Sequence, residues 1–218
     1  HAQDISNRGS DLVRRGRFQD APVLYEESIE IAKEGKLDKL VAIFTKELEN
    51  AYAKFAEQIN AQGNELYRKW KYAEAADIFQ NSILIAKEAK NSKLIAEFTK
   101  QYNSAIEKWA ISRRNDANLA CNDMEWEKAI TLFAEVEDIA NKAADKKQSS
   151  SFIDDLRKIY LNNLTVIKPR ADYSLSQGKL DEAFKLYDFC VRFATMAQND
   201  RKMKEFREYR DKAMEKMG

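Results

Sequence analysis

The feature that most constrains this chain is an internal repeat of 54 residues. Moving Ile59–Trp109 back by that offset places it on Ile5–Phe55 without a gap, and about 20 of the 51 aligned residues are identical. The offset continues to the end of the chain, where a shared alanine recurs at Ala21, Ala75, Ala129 and Ala183. One repeated unit without gaps favours one repeat domain, so we predict a single solenoid over 1–218. Its repeats are expected at about 5–58, 59–112, 113–166 and 167–218.

Within each repeat, apolar residues recur at helical spacing and few residues break a helix. The chain contains 6 Gly and 2 Pro, and 33% of its residues are charged, which favours a nearly all-helical protein. No breaker separates the third segment of one repeat from the next repeat. Asp38 to about Lys69 is therefore predicted to form one long helix, or two with a slight kink, and Lys93–Met124 another long helix. The polar segment Asp145–Ser151 is predicted to be a loop, and Pro169 to kink or break its helix.

Two further columns of the repeat identify its packing. A small residue lies near the centre of each first helix, at Gly9, Gly63, Ala117 and Ala171, and an aromatic follows each shared alanine, at Tyr25, Phe79, Phe133 and Tyr187. This pattern resembles the tetratricopeptide repeat, in which two helices cross closely at small residues and interlock at aromatic ones. The resemblance implies an all-α, right-handed α-solenoid of four tetratricopeptide-like repeats. The family's period is about 34 residues, so about 20 additional residues are expected to lengthen the helices or add a third segment. The proline that usually ends the family's second helix is absent.

The bulk properties favour no enzyme, nucleic-acid-binding or membrane class. Lys+Arg number 37 and Asp+Glu 36, giving a net charge of +1, and no apolar run approaches the roughly 20 residues that span a bilayer. The single histidine is His1, and the sequence has no Gly-rich phosphate loop or nucleophile elbow. We therefore predict no catalysis, no cofactor and no metal. Cys121 and Cys190 are expected to be buried in a reducing compartment, which predicts a cytoplasmic protein.

The resemblance also implies where a partner binds, because first helices line the binding face of tetratricopeptide proteins. The predicted partner-binding residues are Asn60, Asn64, Tyr67, Arg68, Arg114, Asn118, Asn122 and Lys168. Residues four apart on a helix share a face, so these side chains are expected to form a polar, basic-leaning patch. Such a patch can hold an acidic segment or a peptide carboxylate through charge-assisted hydrogen bonds. An ordinary hydrated helix face is the alternative interpretation.

Three functions from different classes remain open on the sequence, of which the most remote is a small-ligand or regulatory sensor with a pocket inside the curve of the repeats. The first is a non-enzymatic interaction module or scaffold that binds a peptide or protein partner along the first-helix face. The alternative is a structural, self-associating scaffold or oligomerisation domain. Among the tryptophans, Trp109 and Trp126 share columns with core residues. Trp70 shares a column with Gly16 and Gly178 near a turn, so it is predicted to be a partly exposed contact residue.

Overall fold

The computed structural model describes residues 1–217, in which nine α-helices and no β-strand are found. The predicted all-α fold class is therefore confirmed. The helices are α1 (Ala2–Arg14), α2 (Ala21–Glu34), α3 (Asp38–Arg68), α4 (Tyr72–Glu88), α5 (Ser92–Asn122), α6 (Trp126–Asn141), α7 (Lys146–Ser176), α8 (Leu180–Met196) and α9 (Asp200–Glu215).

The chain divides into two compact units, His1–Lys108 and Trp109–Gly218, and α5 contributes residues to both. In the first unit, α1 packs on α2, α2 on α3, and α3 on α4. In the second unit, α6 packs on α7, α7 on α8, and α8 on α9. Within each unit, these helices thus pack against their neighbours in the chain, which is the organisation of an α-solenoid.

The long helices predicted from the sequence are confirmed. Both α3 and α5 contain 31 residues, which corresponds to about 46 Å of helix. Each therefore combines the third segment of one repeat with the first helix of the next. Glycine at position 63 of α3 leaves room for the ring of Phe79 on α4, because a Cβ there would lie 2.6 Å from Phe79 Cε1. Close crossing at this glycine fixes the α3–α4 hairpin.

One local prediction about α7 is wrong, and another is wrong in part. The helix begins at Lys146, inside the expected loop, because the Asp145 carboxylate caps it by accepting hydrogen bonds from the backbone N–H groups of Lys147 and Gln148. Pro169 does not break α7, which continues to Ser176. The proline is exposed, whereas Ile167 and Ala171 on either side are buried, so tertiary packing holds the helix despite the missing backbone donor.

The turn after each first helix has the same hydrogen-bonded geometry in all four repeats. A residue with positive φ ends the helix, and the N–H of the next residue donates to the carbonyl five positions earlier, as in a Schellman motif. The positive-φ residues are Gly16, Trp70, Met124 and Gly178, with φ of 74°, 66°, 61° and 69°. Two of the four are therefore non-glycine residues in a conformation that favours glycine.

The repeat columns form the core of both units. The shared alanines are fully buried, and so are most of the aromatics that follow them. In the third segments a phenylalanine recurs at Phe44, Phe98, Phe152 and Phe206, and all but Phe152 are at most 2% exposed. The identities between repeats thus mark packing positions. None of the helices within residues 1–217 is long and apolar enough to cross a membrane.

Candidate functional site

The eight predicted partner-binding residues fall into two groups of four. Asn60, Asn64, Tyr67 and Arg68 lie on the last turns of α3, in the first unit. In the second unit, Arg114, Asn118 and Asn122 lie on α5, and Lys168 lies on α7. The members of each group differ in burial and in their partners, and these differences decide which of them present chemistry to solvent.

Asn60 is buried, with 5% of its surface exposed, where α3 packs on α4. Its amide oxygen lies 3.4 Å from Ser82 Oγ, whose hydroxyl also donates to the Phe79 carbonyl at 2.7 Å. Burial of a polar side chain is tolerated when such partners are present. Asn60 therefore contributes to helix packing and presents no group at the surface.

Tyr67 connects three helices of the first unit. Its hydroxyl lies 3.0 Å from Ser104 Oγ on α5, and its ring contacts Tyr72 of α4 edge-on, with ring centroids 5.2 Å apart. Edge-to-face contacts of this kind stabilise aromatic pairs. The half-buried side chain of Tyr67 is thus fixed from both ends.

Asn64 and Arg68 are the accessible members of the first group. They lie four residues apart on α3 and so share a face, with Asn64 half-buried and Arg68 exposed. Within residues 1–217, the Asn64 amide has no hydrogen-bond partner, and no carboxylate lies within ion-pair distance of the Arg68 guanidinium. One amide and one guanidinium are therefore available together to a ligand.

The equivalent residues of the first repeat are already occupied. On α1, Ser10 Oγ lies 3.1 Å from the Tyr25 hydroxyl, and Arg14 forms an ion pair with Asp11. The repeat equivalent of Tyr25 is Phe79, which has no hydroxyl to engage the Asn64 amide. Local sequence differences between the repeats thus leave Asn64 and Arg68 without internal partners.

In the second unit, Arg114 is held over an aromatic ring. Its guanidinium lies 5.3 Å from the centroid of the Phe152 ring, within the range of a cation–π contact. The pKa of the nearby Asp155 is lowered from its ordinary value, mainly because Lys158 donates a 2.8 Å hydrogen bond to it. The positive charge of Arg114 makes a smaller contribution in the same direction. Arg114 therefore lies among charges of both signs. On the same helix Asn118 is half-buried and Asn122 is exposed.

Lys168 belongs to a hydrogen-bonded chain between α7 and α8. Its Nζ donates to Asp172 at 2.7 Å, and the Tyr187 hydroxyl donates to the other oxygen of Asp172 at 2.7 Å. Partial burial opposes ionisation of Asp172, but the hydrogen bonds from Lys168 and Tyr187 prevail and lower its pKa from the ordinary value. The Nζ atom of Lys168 also lies 5.2 Å from the centroid of the Tyr209 ring. Its charge is thus matched internally.

Sequence reasoning identified Trp70 but missed Met124 at the equivalent position. Trp70 is 79% exposed and Met124 is 50% exposed, and both have positive φ. One repeat column contains glycine in two repeats and a large apolar residue in the other two, and this pattern identifies Trp70 and Met124 as a pair. It predicts exposed apolar side chains at positions where the backbone itself favours glycine.

No group of His, Cys, Asp or Glu with the geometry of a metal site occurs among residues 1–217. Burial raises the pKa of the Cys121 thiol to about 11 and that of the Cys190 thiol to about 12. Raised thiol pKa values correspond to inert cysteines, because the thiolate is the nucleophile.

No protein-family model matches this chain, and no curated protein resembles it closely enough to count as a match.

Proposed function

We propose that this protein is a non-enzymatic interaction module that binds a peptide or protein partner through the first-helix face of its tetratricopeptide-like repeats. The proposed contact surface is the pair Asn64 and Arg68 on α3. The ligand chemistry that suits it is a carboxylate, at the C-terminus of a peptide or in an acidic segment.

The observation that carries the proposal is the absence of internal partners for this pair in residues 1–217. Folding gains little from an amide or guanidinium that contacts only water, whereas the equivalent Ser10 and Arg14 both have partners within α1–α2. A guanidinium presents a planar set of donors that matches a carboxylate, and an adjacent amide adds a further donor. Charge-assisted hydrogen bonds of this kind contribute about 1.5–3 kcal/mol each.

The directions of the pKa shifts favour a binding role over catalysis. Burial raises the pKa of the tyrosines and cysteines that it affects, and hydrogen bonds lower the pKa of the perturbed carboxylates. General acids and bases need pKa values near the working pH, and these shifts lead away from it. Unpaired, buried cysteines also agree with the cytoplasmic location that we propose for the protein.

The proposal is tested with an array of synthetic peptides that vary in their last residues and end in a free carboxylate. The full chain is compared with an Asn64→Ala/Arg68→Ala variant, and Ser10→Ala/Arg14→Ala serves as the matched control on α1. We expect peptides that bind the wild type and the control, and that lose at least about tenfold in affinity for the α3 variant.

Binding that is equal in all three proteins would show that the α3 face is not the site. The alternative function, a self-associating scaffold, is separated by sedimentation of the wild type over a wide concentration range. A concentration-dependent oligomer that the α3 substitutions dissociate would assign this face to a second copy of the chain.

A further inference from the structure

A groove is present on the second unit, whereas the α3 surface belongs to the first. It has a volume of about 590 Å³ and is formed by the α5–α6 turn, the second half of α7 and α8. The lining residues that define its chemistry are Met124, Trp126, Arg170, Tyr173, Lys185 and Phe189.

The floor of the groove is apolar. Trp126 is buried and Phe189 half-buried, whereas Tyr173 is 63% exposed and Met124 50% exposed. Contiguous apolar side chains that remain accessible on a helical surface are typical of binding sites. The floor therefore suits a large apolar side chain of a ligand.

The rim of the groove carries unmatched positive charge. Arg170 and Lys185 are exposed, and no carboxylate in residues 1–217 lies within ion-pair distance of either. Glu182 is the one carboxylate among the described residues that line the groove. Its Oε2 lies 3.9 Å from Lys179 Nζ, so the negative charge of Glu182 is partly compensated by Lys179. Charge complementarity favours a ligand that brings carboxylates to this rim.

The chemistry of the groove is not a general property of the repeat. The equivalent positions of the first unit lie two repeats earlier in the sequence. Phe18 is equivalent to Trp126, and the other five positions hold a polar residue, an acidic residue or glycine. Gly16 replaces Met124, Gln62 replaces Arg170, Glu65 replaces Tyr173, Asp77 replaces Lys185 and Asn81 replaces Phe189. The repeat fold therefore tolerates a polar and acidic surface here, and the second unit departs from it.

Met124 supplies an independent observation. Its φ is 61°, in a repeat column where Gly16 and Gly178 occupy the same left-handed conformation. A non-glycine residue in this region costs about 1–2 kcal/mol of backbone energy. The Met124 side chain is half exposed, and its sulfur contacts the guanidinium of Arg170. Strained residues are concentrated at functional sites, although positive φ is also found at the turns after other helices, at Lys36, Lys90 and Gln198.

We propose that this groove binds an acidic segment of a partner protein, with a large apolar side chain of that segment on Trp126, Tyr173 and Phe189, and with carboxylates of the segment at Arg170 and Lys185. The groove is distinct from the α3 surface and does not depend on it. The ligand segment is internal to its chain and needs no free C-terminus.

The test uses three fluorescein-labelled peptides with amidated ends, titrated into the full chain and followed by fluorescence anisotropy. The first alternates Glu with Leu and Phe, the second replaces its apolar residues by Ser, and the third replaces its Glu by Lys. The variant Arg170→Gln/Tyr173→Glu/Lys185→Asp gives the groove the residues found at the equivalent positions of the first unit. These three positions are exposed, so the variant is expected to fold, and circular dichroism with urea unfolding verifies this.

We expect the acidic apolar peptide to bind more tightly than both others, and to lose at least about tenfold in affinity for the groove variant. Ser10→Ala/Arg14→Ala, whose side chains have internal partners and line neither surface, should leave this binding unchanged. The single variant Arg170→Gln should also bind the acidic apolar peptide more weakly than the wild type, so the proposal can be tested even if the triple variant unfolds.

Three outcomes would overturn the proposal. The first is an acidic apolar peptide that binds no better than its lysine counterpart or not at all. The second is equal affinity for the wild type and a folded groove variant. The third is a dimer in sedimentation that the groove substitutions dissociate, since the occupant would then be a second copy of the chain.

Discussion

Trp70 and Gly16 occupy the same place in successive repeats and have nearly the same backbone conformation, with φ of 66° and 74°. The tryptophan side chain is 79% exposed, so packing compensates little for the left-handed backbone. The sequence pattern had already set Trp70 apart from Trp109 and Trp126. The structure adds the reason, which is that a turn of fixed hydrogen-bond geometry holds each of these residues at positive φ.

Trp70→Gly is expected to raise the free energy of unfolding by about 0.5–1 kcal/mol. Release of the left-handed strain outweighs the larger entropy that glycine gives the unfolded chain. Gly16→Ala is the matched reverse change, because no atom lies within 4 Å of the added Cβ and only the backbone is affected. It should lower the free energy of unfolding by about 1 kcal/mol. Urea unfolding of both variants makes the measurement, and a destabilised Trp70→Gly protein would mean that the indole packs on the fold.

Gly63→Ala is expected to destabilise the protein by about 1 kcal/mol. The added Cβ would lie 2.6 Å and 2.7 Å from two ring carbons of Phe79, and the strain of overpacking exceeds the gain in helix propensity. At Gly9 the nearest atom to an added Cβ is 3.1 Å away, on Tyr25. Gly9→Ala should therefore be close to neutral in the same urea experiment. Equal effects of the two substitutions would contradict this account of the helix crossing.

Much of the fold was predictable from the sequence, because the packing positions recur at a fixed offset. The alanine and aromatic columns are buried, and the long helices α3 and α5 begin and end close to the predicted residues. Local propensity misled the prediction at two places in α7. Flanking buried residues keep the helix continuous at Pro169, and the Asp145 cap starts it within the polar segment 145–151.

The candidate site was less predictable, because spacing along a helix does not reveal what a side chain contacts. Asn60 and Asn64 lie four residues apart, yet Asn60 is buried beside Ser82 and Asn64 is only half-buried. Lys168 has an internal carboxylate partner, whereas Arg68 has none within residues 1–217. These differences arise from neighbouring helices, whose contacts a single-helix pattern does not contain.

The protein is expected to lose stability as the pH rises above about 9. Burial raises the pKa of Cys190 to about 12, and burial together with Glu137 raises that of Tyr160 above its ordinary value. The folded state therefore retains protons that the unfolded chain releases. Each such group lowers the free energy of unfolding by about 1.4 kcal/mol per pH unit between its unfolded and folded pKa.

Urea unfolding across the alkaline range measures this slope. Cys190→Ala and Tyr160→Phe should each reduce it, although the second also loses the 2.8 Å hydrogen bond to Glu137 and is less stable at neutral pH. A slope that is the same in both variants and the wild type would exclude these two groups as its cause.

Neither cysteine is expected to react with a thiol reagent while the protein is folded. Cys121 and Cys190 are buried and their raised pKa values leave almost no thiolate at mildly alkaline pH. Labelling with an aromatic disulfide reagent should therefore be slow in buffer and complete in urea. Rapid labelling of one thiol in buffer would show that its helix opens locally.

The central claim is that Asn64 and Arg68 bind a carboxylate of a partner. The most direct measurement is isothermal titration of the wild type with one array-selected peptide, as the free acid and as the C-terminal amide. We predict that the amide binds at least about tenfold more weakly, and that this difference disappears in Asn64→Ala/Arg68→Ala. Equal affinity of the wild type and the variant for the free acid, or an acid preference that survives in the variant, would contradict the claim.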